Sequence, residues 1–84
     1  MNFYTLHVVR NTYMMPNPAS DQVTVMSSFR IERIEIYTLT GQRVMLEKVG
    51  GLSSQVDISS LAKGTYIVRI HTNRGVSSKR LVVK

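Results

Sequence analysis

Residues 56–70, reading VDISSLAKGTYIVRI, constrain the fold more than any other stretch of the chain. Val56 and Ile58 point to one side and Asp57 to the other. Ser59 and Ser60 bond the local backbone and favour a turn over a continued strand. Leu61 follows as an apolar anchor, and Gly64 offers a position where φ can be positive without a Cβ clash. From Thr65 the chain alternates again, with Tyr66, Val68 and Ile70 on one face and Thr65, Ile67, Arg69 and His71 on the other. Five of the eight residues 65–72 are β-branched, which suits a pleated, half-buried surface. The stretch predicts a strand, an anchored turn and then the central strand of an all-β domain.

The same logic carries along the chain. Residues 3–9 read as a strand or an extended linker. Tyr13, Met14 and Met15 lead into Pro16, Asn17 and Pro18, where two prolines remove two amide donors and stiffen a loop. Residues 22–26 form a short strand with Val23 and Val25 inward. Ser27, Ser28, Phe29 and Arg30 read as a turn that folds Phe29 onto the core. Residues 31–39 return as a strand in which Ile34 and Ile36 alternate with Arg33, Glu35 and Tyr37. Thr40, Gly41 and Gln42 make a hairpin turn with Gly41 in the left-handed position. Residues 43–47 come back with Val44 and Leu46 inward, Arg43 and Glu47 outward. Gly50 and Gly51 mark a flexible connection. Thr72, Asn73, Arg74 and Gly75 form a second hairpin turn, and the last strand turns Leu81 and Val83 in and Lys79 out. No apolar helical repeat lasts three turns. Six to eight short strands with turns every ~8–12 residues predict a small sandwich or barrel.

An 84-residue chain without cysteine is one small domain with no disulfide and no thiolate metal site. No apolar run approaches the ~20 residues of a membrane span. The first residues lack a basic segment leading into a long apolar one, so a removable signal peptide is not expected here. A net charge of +6 raises nucleic acid or an anionic surface as a partner. The eleven basic residues read as scattered and solvated, only Lys79 and Arg80 being adjacent, without aromatic pairs beside them to stack bases.

Catalysis has no foothold in the pattern, and no catalytic residue, metal ligand or cofactor is expected. His7 and His71 stand in no ligand spacing and read as solvated strand residues. Asp21, Glu32, Glu35, Glu47 and Asp57 fall in loops or on outward strand positions, Asp57 bonding turn amides near Ser59 and Ser60. The serines lack a base to activate them. Met26 reads as core filling and Met14 and Met15 as loop packing, rather than as an adaptive binding face. Tyr66 reads as a core residue whose hydroxyl finds a partner.

Several motifs coincide in order: Pro16, Asn17, Pro18, Ala19, Ser20 and Asp21; then IYTLTGQRV over residues 36–44; then residues 56–70; then a basic-apolar strand of Lys79, Arg80, Leu81, Val82, Val83 and Lys84. Over roughly residues 14–84 the chain resembles the type A C-terminal sorting domain of cargo of the type IX (Por) secretion system. The resemblance implies an all-β, immunoglobulin-like β-sandwich of about seven antiparallel strands, with a linker or first strand over residues 1–12 and the sorting domain over 13–84. It implies a fused N-terminal cargo, periplasmic transit, passage through an outer-membrane translocon and clipping by a sortase-like peptidase at the cell surface. That clipping site would lie upstream of, or within, the first dozen residues, where no cleavage sequence is legible.

The family's recurrent glycine and aromatic fall on Gly64 and Tyr66, its hairpin glycine on Gly41, and its terminal strand on Lys79, Arg80, Leu81, Val82, Val83 and Lys84. Gly64, Tyr66, Lys79, Arg80, Leu81, Val82, Val83 and Lys84 are the expected recognition residues, with Pro16, Asn17, Pro18, Gly41 and Gly75 as structural turns. Where family members often carry proline before the glycine, this chain has Ala62 and Lys63. The expected mechanism is docking of the last strand, by backbone and basic side chains, to export components. Two other readings remain: an immunoglobulin-like adhesion or spacer module retained on a secreted protein, and a basic β-domain for nucleic acid. Exposed edges also allow a homodimer of the isolated domain.

Overall fold

A computed structural model describes residues 12–84. The described residues form five strands: β1 (Thr12–Met15), β2 (Gln22–Thr38), β3 (Arg43–Asp57), β4 (Gly64–Thr72) and β5 (Gly75–Val83). All pair antiparallel in one sheet, in the order β1-β2-β4-β5 with β3 on the other side of β2. The expected all-β, antiparallel fold is observed, but over the described residues it is five strands in one sheet that curls on itself rather than about seven strands in a sandwich.

The curl explains the miscount. β2 and β3 are long strands whose middles carry turn-like residues. Across from Leu52 of β3, β2 has Ser27, Ser28, Phe29 and Arg30, and a further register shift falls between Ile31 and Arg33. The segment expected to be a turn is an irregular part of a continuous strand. Ser27 Oγ accepts the Phe29 N–H at 2.9 Å, supplying a partner where the ladder slips. Gly50 and Gly51, expected as a connection, lie inside β3, and Gly50 takes φ 84° beside the same bend. The shift between Ile31 and Arg33 changes which residues face inward: Val23, Val25 and Ile31 are buried before it, Ile34 and Ile36 after it. A shift by an odd count keeps both halves of β2 aimed at one core.

β1 and β4 occupy the same edge of β2 in succession, β1 along residues 24–27 and β4 along residues 31–38. Bending β2 between them brings Val23, Val25, Val56 and Ile58 into one cluster with Ile34, Ile36, Val68, Ile70, Leu81 and Val83. Ala19 completes the closure, forming an isolated parallel bridge to Val83.

Several orientations differ from expectation. Val44 and Leu46 are exposed, whereas Met45 and Val49 pack on the core, because another register shift follows Ile36 in the β2–β3 ladder. Met14 packs on the core from strand β1 rather than from a loop, while Met15 and Met26 are exposed. Phe29 lies outside the core cluster and takes the Arg74 guanidinium over its ring at 5.2 Å. Lys79 is half-buried on the same face as Leu81 and Val83, not outward. The reading of residues 3–9 and of His7 falls outside the described residues.

Candidate functional site

The site is built where β5 ends. Gly64 pairs with Val83 and Tyr66 with Leu81 across the β4–β5 ladder, so the expected recognition residues of both strands do lie together. Their side chains divide by face. Tyr66, Leu81 (0% exposed) and Val83 (4%) belong to the core. Arg80, Val82 (37%) and Lys84 face solvent.

The turn before β4 is held by four local devices. Asp57 Oδ1 accepts the Ser59 N–H at 2.9 Å and the Ser59 hydroxyl at 2.6 Å. Those two bonds hold the Asp57 carboxyl below the usual carboxylate range against a smaller opposing effect of burial. The Leu61 N–H donates to the Ile58 carbonyl at 3.0 Å, closing the turn and setting Leu61 on the core. The Tyr66 hydroxyl donates to the Ala62 carbonyl at 2.6 Å, as expected of a core tyrosine with one polar end. Gly64 has φ 151° with open space where a Cβ would stand.

The loop of Pro16, Asn17 and Pro18 connects the turn residues to the terminal strand. Both prolyl bonds are cis. Asn17 Nδ2 donates to the Arg80 carbonyl at 2.7 Å, and the Val82 N–H donates to Asn17 Oδ1 at 3.0 Å. The Ala19 N–H donates to the Val82 carbonyl and the Lys84 N–H to the Ala19 carbonyl, both at 2.9 Å. These four bonds occupy the outward backbone groups of the very residues expected to offer a free edge. At residues 80–84 what remains for a partner is side chains, not ladder groups. The other expected turn glycines are at the hairpins: Gly41 (φ 95°) closes β2–β3, and Gly75 (φ 139°) begins β5 at the far end of the ladder from Gly64.

One constellation escaped the sequence reading. Glu35 was expected on an outward, solvated position; its side chain is only 8% exposed. Arg43 Nη1 donates to Glu35 Oε2 at 3.0 Å, Arg33 Nε lies 4.0 Å from the same oxygen, and His71 Nε2 lies 2.5 Å from Oε1. His71 is thus engaged rather than solvated. Burial opposes ionisation of Glu35, but hydrogen bonds from Arg43, His71 and Tyr37 outweigh it and hold the carboxyl below its ordinary value. The signal was present in the Gly41 hairpin, which sets Arg43 opposite Tyr37 and so diagonal to Glu35.

The sequence pattern of the secretion system C-terminal sorting domain matches residues 13–84. The chain belongs to that family. A comparison with curated proteins returned no match. As a type IX (Por) secretion sorting domain, it is a signal for secretion of a cargo protein and not a catalyst. Its partners are the secretion machinery and the cargo fused to it, and its destination is the cell surface or beyond. Among the described residues no three potential metal ligands converge.

Proposed function

We propose that the sorting domain acts as a folded passport read partly at its terminal strand. The cargo is fused ahead of residues 13–84, with residues 1–12 as linker or first strand. In the periplasm the export machinery engages the domain through Arg80, Val82 and Lys84, with Lys79 at the margin. Tyr66, Leu81, Val83 and the Gly64 turn act indirectly, by fixing that strand. An outer-membrane translocon then passes the cargo, and a sortase-like peptidase removes the domain and joins the cargo to the surface. No nucleic acid, metal or cofactor takes part. The family match over residues 13–84 carries this reading. The Asn17 and Ala19 bonds support a side-chain readout, since they leave residues 80–84 few backbone groups to offer. Among the described residues one side of β3 is unpaired, which supports self-association of the released domain.

The test is fusion of the chain behind a periplasmic reporter in an exporting host with and without the translocon. Surface delivery that needs the translocon supports the reading. Equal delivery in both hosts, or retention in the periplasm of both, overturns it.

A further inference from the structure

The basic residues that look scattered in sequence are gathered by the sheet. In the β2–β3, β2–β4 and β4–β5 ladders, Lys48, Arg33, His71 and Val76 form one row across four strands. Leu46, Glu35, Arg69 and Ser78 form the next, and Arg43, Tyr37, Ile67 and Arg80 the third. Directly paired residues share a face, and every second residue along a strand returns to it. Ile34, Ile36, Val68 and Ile70 lie between these rows and are buried, so the three rows make the outer face. Five cations stand on it: Arg33, Arg43, Lys48, Arg69 and Arg80. Glu35 is the one acid in these rows, and Arg43, Arg33 and His71 already surround it. Glu47, paired with Ile34, belongs to the opposite face. Among the described residues, Lys48, Arg69 and Arg80 have no carboxylate partner.

We propose that this outer face is a docking surface for an acidic protein surface whose carboxylates alternate with apolar side chains. Charge complementarity selects an anion, because the face carries a large local excess of positive charge around one neutralised acid. The residues between the cations select a protein over other polyanions. Leu46, Ile67, Tyr37 and Val76 interleave with them, and Leu46 and Val76 are exposed. Single strands are gripped by bases stacked on exposed rings, and the rings in these rows, Tyr37 and His71, are half-buried. The surface takes Val76, Ser78 and Arg80 from β5 and shares only Arg80 with residues 79–84, and the proposal goes beyond the export reading.

The test uses the whole chain and fluorescent peptides, with no export step, so its failure leaves the sorting role standing. One peptide alternates glutamate with valine; a second of equal charge alternates glutamate with serine. The face variant is R33Q, K48Q and R69Q together. The control variant, R30Q, K63Q and R74Q, lowers the net charge equally outside the rows. The glutamate–valine peptide should bind the native chain about tenfold tighter than the glutamate–serine peptide, and the face variant should lose about tenfold. The control should stay within about twofold of the native chain, and added salt should weaken binding. Equal affinity for the two peptides, tighter binding of single-stranded DNA or heparin, equal loss in the control, or no binding at all overturns the proposal.

Discussion

Asn17 stands beside Val82 as a strand residue would: its side-chain oxygen accepts the Val82 N–H at 3.0 Å, while its nitrogen donates to the Arg80 carbonyl at 2.7 Å. One amide side chain thereby takes two outward ladder positions of β5. Ala19 continues the coverage to Lys84. A sheet edge that would otherwise recruit a passing strand is closed from within the chain.

Asn17→Ala should therefore act on both stability and the edge. Two hydrogen bonds disappear, and because the site is exposed, water replaces part of the loss, for a cost of about 1–2 kcal/mol. Urea unfolding should show the lower midpoint, and sedimentation the larger tendency to associate. An unchanged midpoint with unchanged sedimentation would show that Ala19 alone closes the edge.

How much of this was legible in the sequence depends on range. Local rules found the Gly41 and Gly75 turns, the Asp57–Ser59 cap, the inward Val68 and Ile70, and the tethered Tyr66 hydroxyl. Each rests on residues a few positions apart. The strand count failed at Ser27, Ser28, Phe29 and Arg30 and at Gly50 and Gly51, whose composition fits a bend inside a strand as well as a turn between strands. Register shifts then reversed Val44 and Leu46, since one extra residue flips every side chain beyond it. The Glu35 cluster, the Asn17 clasp and the basic outer face depend on pairing between distant strands. No single stretch carries that information.

Gly64 tests backbone conformation alone. Its φ of 151° disfavours any side chain, while no atom lies within 4 Å of where a Cβ would stand. Gly64→Val should cost about 1–3 kcal/mol through strain rather than collision. Gly64→Ala should cost a similar amount, because both carry a Cβ. A melting temperature matching the native one for the alanine variant would remove the backbone requirement.

Tyr66→Phe should keep the core and lose only the bond to the Ala62 carbonyl. The carbonyl loses its 2.6 Å donor, giving a cost of about 0.5–1.5 kcal/mol. Tyr66→Ala removes the ring as well and should cost about 3–5 kcal/mol. If the phenylalanine variant is as destabilised as the alanine variant, the hydroxyl and not the ring organises the turn.

Acid should weaken the domain. Glu35 and Asp57 are both held below their ordinary values in the folded chain. The folded state then binds fewer protons than the unfolded one as pH approaches those values. The stabilisation is complete above the unfolded value, about pH 4, and is lost as pH falls through the lowered folded values. Thermal melts at decreasing pH should show this fall. Glu35→Gln should flatten one part of it and Asp57→Asn another. A double variant with the native pH profile would assign acid sensitivity elsewhere.

In the proposed function the terminal strand serves both fold and signal, and the two roles can be separated. Removing Val83 and Lys84 takes away a buried valine, its bridge to Ala19 and the Lys84 N–H bond, so that deletion disturbs folding itself. The valine alone contributes about 1.5–3 kcal/mol. Arg80 and Lys84 replaced together by glutamine leave Leu81, Val83 and the half-buried Lys79 in place and change stability little, since exposed charges contribute little. A short Gly-Ser tail after Lys84 keeps every packed side chain and every bond from Asn17 and Ala19. Both variants should melt as the native domain does, while their cargo accumulates in the periplasm. Folded variants that reach the surface normally would show that residues 79–84 serve the core, and that recognition lies elsewhere on the sheet.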